Sequence, residues 1–280
     1  MAVLRLALLC LVLCGTAARA ANPDDAANGP HPVLEHPSTL IEDSVALRWR
    51  IAGKPPTETV RFRRGRRYLL SLSDQRVELN YRHEGAAPNL ILTGWSGGAH
   101  CCFTLHVFSL APPLVHQAIA VDDNDEVGFL AEGDAPPRLR LADFAFAYWR
   151  ASFAESPAPR LILRFDPATR RYRPDFAAMR QDKPDDAALA ALAAQSGGAR
   201  PTPALWGAML DLIYSGNAPA ARHLLDLAWP KGQRGERHFV ACFTRQLHGG
   251  RLWQRFHLGS SLDADAAFPP VRISTRGCRA

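Results

Sequence analysis

The sequence predicts an α+β protein in which a mostly-β N-terminal domain of blade-like antiparallel hairpins precedes a small C-terminal helical layer. From about residue 33 to residue 180, short runs alternate apolar and polar residues with a period of two. Alanine- and leucine-rich segments with helix-ending glycines then fill residues 181–280. A turn-rich stretch followed by an alternating strand occurs at Glu84 and again 48 residues later at Glu132, a spacing typical of propeller blades or similar β arrays.

Residues 1–20 have the pattern of a cleavable secretory signal peptide. Arg5 supplies the positive charge, residues 6–14 form an apolar run, and Ala18-Arg19-Ala20 is an A-x-A cleavage site. The apolar run is less than half of the roughly 20 residues that a membrane-spanning helix needs. We therefore expect cleavage after Ala20 and a periplasmic or secreted protein with no transmembrane segment in its mature chain.

The charge of the chain indicates no polyanionic partner. The formal net charge is +6, and two of the arginines leave with the signal peptide. Five arginines cluster between residues 61 and 67, among strand-like runs, which favours a solvated edge strand and turn. An anionic glycan or lipopolysaccharide is the alternative ligand of this cluster, whereas nucleic acid is disfavoured because an exported protein seldom meets it.

The β domain is expected over residues 33–180, after a flexible start at residues 21–32 that is rich in Asn, Asp, Ala, Gly and Pro. Its clearest strand candidates are residues 44–51, 59–63, 68–72, 89–92, 103–110 and 161–165. Asp166-Pro167-Ala168-Thr169 is a natural hairpin turn before a further strand at residues 171–173.

The helical region is expected over residues 181–280 and ends in a C-terminal tail. Helices are predicted at residues 185–195, 205–214 and 236–248, with a further one that has Asn217 as its N-cap. Short links between them imply antiparallel neighbours. The apolar face of the second helix predicts a set of core residues: Leu205, Trp206, Met209, Leu212 and Ile213.

Four cysteines remain after cleavage, and export favours disulfide bonds between them. Four cysteines allow three pairings. We prefer Cys242–Cys278, because this bond joins the C-terminal tail to a helix and contributes on the order of 4 kcal/mol in the chain-entropy model. Cys101 and Cys102 are adjacent in the sequence.

The most distinctive motif is Ser96-Gly97-Gly98-Ala99-His100-Cys101-Cys102, which lies between two strand candidates. This string resembles a motif of uncharacterised exported bacterial proteins whose flanking repeats resemble FG-GAP or VCBS-type blades. The resemblance covers about residues 77–175 and implies a β architecture without an established activity. Blades of that type bind calcium through several aspartates, but residues 82–88 contain none and residues 131–137 keep only Glu132 and Asp134.

Three interpretations of this motif stay open. In the first, the glycines form a tight turn, Cys101 packs in the core, and His100 satisfies backbone groups. In the second, Cys101 and Cys102 form a vicinal disulfide that acts as a redox or conformational switch. In the third, His100, Cys102 and His106 bind zinc or copper, with His83 or His116 as a fourth ligand.

Two further patterns resemble functional sites. Ser96 lies in a G-x-S-x-G-like string, but a strand follows it where a nucleophile elbow needs a helix. In the run at residues 122–126, Asp122, Asn124 and Glu126 alternate as calcium ligands do. The next residue is Val127, where a calcium loop needs a glycine, so a solvated turn is favoured.

The sequence therefore favours a non-catalytic binding or protein-interaction module, whose partner is a protein or another envelope component. It assigns no cofactor, with zinc and calcium as the alternatives just described. The competing hypothesis is a metal- or thiol-dependent enzyme, or a redox-sensitive protein, centred on His100 and Cys102.

Overall fold

The computed structural model describes residues 30–35, 44–51, 57–64, 67–83, 87–98, 102–123, 127–197, 200–272 and Cys278. The predicted signal peptide and residues 21–29 lie outside the described residues. Within them the chain is α+β, with antiparallel sheets in the N-terminal part and helices after them, as the sequence predicts.

Three four-stranded antiparallel sheets follow one another along the chain, and in each of them sequential strands are neighbours. The first contains β1 (Pro30–Glu35), β2 (Ser44–Ile51), β3 (Thr57–Arg64) and β4 (Arg67–Asp74). The second contains β5 (Arg76–His83), β6 (Asn89–Trp95), β7 (Phe103–Ser109) and β8 (Val115–Asp122). The third contains β9 (Gly128–Glu132), β10 (Ala135–Ala142), β11 (Arg160–Asp166) and β12 (Arg171–Pro174).

Two expectations about the first sheet are wrong. β3, which carries three of the clustered arginines, pairs with β2 on one side and β4 on the other, so it is not an edge strand. β1 begins at Pro30, inside the stretch expected to be a flexible start. In both cases strand pairing overrides the local composition, because each strand gains a ladder of backbone hydrogen bonds from its neighbours.

The predicted hairpin turn between β11 and β12 is confirmed. Asp166 pairs with Arg171 across it. The two carboxylate oxygens of Asp166 accept hydrogen bonds from the backbone N–H of Ala168 at 3.0 Å and from the hydroxyl of Thr169 at 2.7 Å. This is how an aspartate at the start of a turn replaces missing ladder hydrogen bonds.

The second and third sheets are joined by a buried side-chain amide. Gln117 on β8 donates a hydrogen bond to the carbonyl of Tyr172 at 2.9 Å, and its own carbonyl accepts from the N–H of Tyr172 at 2.7 Å. This pair of bonds mimics one step of strand pairing. One continuous core then runs through both sheets and the helices.

The helices form the C-terminal layer. They are α1 (Phe176–Met179), α2 (Asp186–Ser196), α3 (Pro203–Tyr214), α4 (Ala218–Ala228), α5 (Glu236–Gly249), α6 (Arg251–Phe256), α7 (Leu258–Ser261) and α8 (Ala264–Ala267). The core residues predicted on α3 are all buried. Asn217 holds the N-cap position of α4, but its amide donates to the carbonyl of Gln181 at 3.1 Å instead of capping the helix.

The preferred disulfide, Cys242–Cys278, is confirmed. The two Cα atoms are 5.2 Å apart, and the bond joins α5 to the C-terminal tail. Among the helices of the described chain, none combines the length and the apolar character that crossing a bilayer requires.

Candidate functional site

The segment between β6 and β7 is closed by its own ends. The backbone N–H and the hydroxyl of Ser96 both donate hydrogen bonds to the carbonyl oxygen of Cys102, and both donor–acceptor distances are 3.2 Å. Gly97 and Gly98 have φ angles of +99° and +112°, a region that side chains disfavour. Both glycines therefore have the backbone conformation that the expected turn requires, while residues 99–101 lie outside the described residues.

Gly97 also packs against the turn between β4 and β5. A Cβ added to Gly97 would lie 2.6 to 2.8 Å from the side-chain amide of Gln75, which is closer than non-bonded atoms approach. The positive φ favours glycine here, whereas the flexible Gln75 side chain can move away from a larger residue. Gly97 thus places the motif next to the β4–β5 turn.

Cys102 does not present a thiolate in this structure, because it is disulfide-bonded. Cys242 and Cys278 bond to each other, so the partner of Cys102 is a cysteine outside the described residues. His100 and Cys101 lie there too. A thiol-dependent enzyme centred on Cys102 has no nucleophile in this state.

His106 is not placed to share a metal ion with Cys102. It lies four residues further on, and four residues of extended chain span about 13 Å. The alternation of side chains places both residues on the same face of the strand, but it does not show that this distance separates them. The zinc or copper site expected at His100, Cys102 and His106 does not form from the two members that the structure describes.

His106 instead pairs with His116 on the neighbouring strand β8. Nδ1 of His106 lies 3.0 Å from Nε2 of His116, and the two rings are within 13° of coplanar. Burial lowers the pKa of His106 to about 4, and the charge of His116 acts in the same direction. Burial, followed by the charge of Arg171, also lowers the pKa of His116. Both rings are neutral at pH 7, so one donates and the other accepts.

Asp74 lies on the other side of His106, so that Asp74, His106 and His116 form a row. A Cβ added to Gly94 would lie 2.6 Å from Oδ2 of Asp74 and 3.3 Å from Nε2 of His106, so both side chains occupy the space above this glycine. Burial raises the pKa of Asp74, against the hydrogen bond from the N–H of Gln75. The row of Asp74, His106 and His116 adjoins a small apolar layer: Val77, Leu90, Leu92, Phe108 and Leu110. The partial burial of this row of side chains favours a structural role for them.

The two segments that the sequence singles out separately meet at one end of the second sheet. Trp95 pairs with Phe103, and Phe103 pairs with Asp122. The glycine turn after Trp95 and the acidic run that begins at Asp122 are therefore neighbours. The run lies between the end of β8 and the start of β9, and residues 124–126 with Asn124 and Glu126 lie outside the described residues.

A cleft of about 270 Å³ opens beside Asp122, and we call it the Tyr148 cleft. Its apolar wall is formed by Phe144, Tyr148 and Phe153, on the segment between β10 and β11. The rings of Phe144 and Phe153 stack with centroids 5.8 Å apart, and those of Tyr148 and Phe153 are 5.5 Å apart. Tyr148 is 59% exposed, the largest exposed fraction among the exposed large hydrophobic side chains of the described residues.

The polar wall of the Tyr148 cleft joins the sheet to the helical layer. Nη1 of Arg251, at the start of α6, lies 3.1 Å from Oδ1 of Asp122. Asp123 and the backbone at Gly250 complete this wall. A Cβ added to Gly250 would lie 2.9 Å from that of Ala145, so only glycine lets the helix junction approach the aromatic segment this closely.

Two residues of the cleft have backbone conformations that side chains disfavour. The φ angles are +49° at Asp122 and +59° at Tyr148. Such conformations cost about 1 kcal/mol or more and persist where the surroundings impose them, often at binding sites. At Tyr148 the surroundings are visible, because its N–H donates to the hydroxyl of Ser156 at 3.0 Å and that hydroxyl donates to the carbonyl of Ser152 at 2.8 Å.

Sequence reasoning missed the Tyr148 cleft. The available signal was the aromatic-rich string from Phe144 to Phe153, which follows a predicted strand. Within it Phe146 and Trp149 turn inward and pack edge-on at 5.1 Å, while Tyr148 turns outward. No periodic pattern in the sequence distinguishes the inward-facing residues from Tyr148, because the positive φ at Tyr148 reverses the direction of its side chain.

Comparison with known proteins finds no matching family model, no matching curated protein and no matching solved structure.

Proposed function

We propose that this protein is an exported, non-catalytic binding module that holds a saccharide of the cell envelope in the Tyr148 cleft. The observation that carries the proposal is the exposed ring of Tyr148, imposed in a left-handed backbone conformation beside the Asp122–Arg251 ion pair. Non-glycine residues keep this conformation where their surroundings impose it, and at Tyr148 the surroundings hold the ring beside an open cleft.

The chemistry of the two walls suits a sugar ring. Flat aromatic faces pack against the C–H faces of a sugar, and a carboxylate beside a guanidinium offers both acceptors and donors to its hydroxyl groups. Asp122 and Arg251 already satisfy each other at 3.1 Å, so neither is an uncompensated charge before the ligand arrives.

The size of the cleft points in the same direction. A volume of about 270 Å³ lies just below the range of roughly 300–1,000 Å³ for pockets that hold drug-sized ligands, which suits a ligand of one or two sugar units. Protein partners need interfaces of roughly 1,000 Å² or more, which a single concave cleft does not supply.

The test measures binding of the full exported chain to soluble envelope saccharides by isothermal titration calorimetry. The panel contains peptidoglycan disaccharides and lipopolysaccharide core oligosaccharides. We expect Tyr148→Ala to weaken binding roughly tenfold or more, as the loss of an aromatic hot spot does. Arg251→Ala should weaken it as well, because the donors of the polar wall are lost.

The matched control is Leu227→Ala, which removes another exposed apolar side chain far along the chain on α4. It should bind as the unmodified protein does. Absence of binding across the panel, or equal affinity of the Tyr148→Ala variant, would contradict the proposal. Unfolding curves of each variant show whether a loss of binding reflects the cleft or the fold.

A further inference from the structure

The Cys242–Cys278 disulfide has a histidine beside it. His238 and Cys242 lie one turn apart on α5, so their side chains share a face of the helix. Nε2 of His238 is 3.6 Å from Sγ of Cys242. The ligand atoms of His238, Cys242 and Cys278 all lie within 4.8 Å of one another, and the part of the chain that the structure describes contains no second group of this kind.

These three side chains are the ligands that zinc prefers. Structural and catalytic zinc sites use thiolate sulfur and imidazole nitrogen, and a site with three protein ligands keeps its fourth position for water. Both sulfurs are buried, while His238 is exposed. The imidazole therefore lies on the solvent side, where a water molecule has access to a fourth position.

We propose that the reduced form of this cluster binds one Zn²⁺ through Nε2 of His238 and the thiolates of Cys242 and Cys278. The disulfide and the metal site exclude each other, because each sulfur either bonds to the other sulfur or binds the ion. The inference is independent of the function proposed for the Tyr148 cleft.

The conversion needs a reductant, which is a dithiol. One thiolate of the dithiol attacks the Cys242–Cys278 bond, a mixed disulfide forms, and the second thiolate releases it. The protein gains two thiols, and the dithiol leaves as a cyclic disulfide. Zinc binding then displaces one proton from each thiol. In the oxidised and the zinc-bound form alike, the C-terminal tail is linked to α5.

The test uses the full exported chain with Cys101→Ser and Cys102→Ser, so that the only thiols are those of the cluster. The protein is reduced with dithiothreitol, desalted without oxygen, and titrated with Zn²⁺ against a chromophoric chelator. We expect the reduced protein to bind one Zn²⁺ per chain and the oxidised protein to bind none. Co²⁺ in place of Zn²⁺ should give the absorption of tetrahedral thiolate coordination.

The decisive variant is His238→Ala, which keeps both thiols and the fold of the oxidised protein. It should weaken zinc binding by more than about tenfold, since even the outer partners of a metal site contribute that much. His223→Ala, which removes an exposed histidine of α4, is the control and should bind as the parent does.

Two results would overturn the proposal. One is a reduced parent that binds no stoichiometric zinc. This includes the case in which circular dichroism shows that reduction unfolds the chain and that added zinc does not restore the fold. The other is an unchanged affinity in the His238→Ala variant.

Discussion

The hydroxyl of Tyr214 donates a hydrogen bond to Oδ2 of Asp143 at 2.5 Å, and this bond joins helix α3 to the segment that carries the Tyr148 cleft. Asp143 is only 1% exposed. Its other carboxylate oxygen accepts from the N–H of Ala145 at 3.0 Å, directly before the aromatic wall. Burial raises the pKa of both Asp143 and Tyr214, so the tyrosine stays a donor at neutral pH.

Replacing Tyr214 by phenylalanine should destabilise the protein by about 1–3 kcal/mol. The change removes one of the donors that compensate a buried carboxyl and leaves the aromatic volume in place. Urea unfolding measures the difference. Tyr148→Phe, at an exposed ring, is the control and should change stability by less than about 0.5 kcal/mol. Equal unfolding midpoints for Tyr214→Phe and the parent would show that the bond contributes nothing.

The stability of the protein should rise with pH between about 4 and 6.5 because of His106. Its pKa is about 4 in the folded protein and 6.5 for the ordinary group, so the unfolded chain binds more protons in this window. Acidification therefore favours unfolding, and the contribution is complete above 6.5. The difference corresponds to on the order of 3 kcal/mol. Asp74, whose pKa is raised, acts in the opposite direction.

His106→Gln should remove most of that slope, measured as the free energy of unfolding at a series of pH values. His223→Gln, on the exposed face of α4, should keep the slope of the parent. A His106→Gln variant whose stability falls as steeply as the parent's on acidification would contradict the prediction.

The predictability of this fold from sequence depends on how regular each element is. β2 was predicted with its observed bounds, because polar and apolar residues alternate along all of it. β8 was missed, since its buried positions include Gln117, whose amide is satisfied only by Tyr172 on β12. A polar residue that is buried through a partner in another sheet breaks the pattern that sequence reasoning relies on.

The candidate site was predictable in its parts and not in its assembly. The glycine turn and the acidic run were both recognised, but their adjacency depends on the register of Trp95, Phe103 and Asp122 across three strands. The aromatic wall depends on one positive φ angle at Tyr148. Neither a register across a sheet nor a left-handed tyrosine leaves a signal in a single sequence.

Loss of the Cys242–Cys278 bond should lower stability markedly in metal-free buffer. The bond closes a segment with a sequence separation of 36 residues, for which the chain-entropy model gives about 4 kcal/mol. Cys278→Ser should therefore lower the melting temperature by several degrees, as followed by differential scanning calorimetry. The parent reduced by a dithiol is the matched control and should melt with the variant. A variant that melts with the oxidised parent would show that the bond adds no stability.

Cys102 should be bonded to its neighbour Cys101. Cys102 is disulfide-bonded and Cys242 is bonded to Cys278. If the predicted signal peptide is cleaved after Ala20, Cys10 and Cys14 leave with it and Cys101 is the one remaining partner. Peptide mapping by mass spectrometry without reduction should show a single peptide containing both residues, two hydrogens lighter than its dithiol form. A free thiol at Cys101, or a link to another peptide, would contradict this pairing.

The consequence for stability distinguishes this bond from the one at Cys278. A ring closed between adjacent residues removes almost no freedom from the unfolded chain, so the entropic contribution that grows with loop length is nearly absent. The Cys101→Ser, Cys102→Ser variant should therefore melt within about 2 °C of the parent, whereas Cys278→Ser should not. A large loss of stability in the double variant would mean that the bond supports the end of the second sheet, where Ser96 is tied to the carbonyl of Cys102 at 3.2 Å.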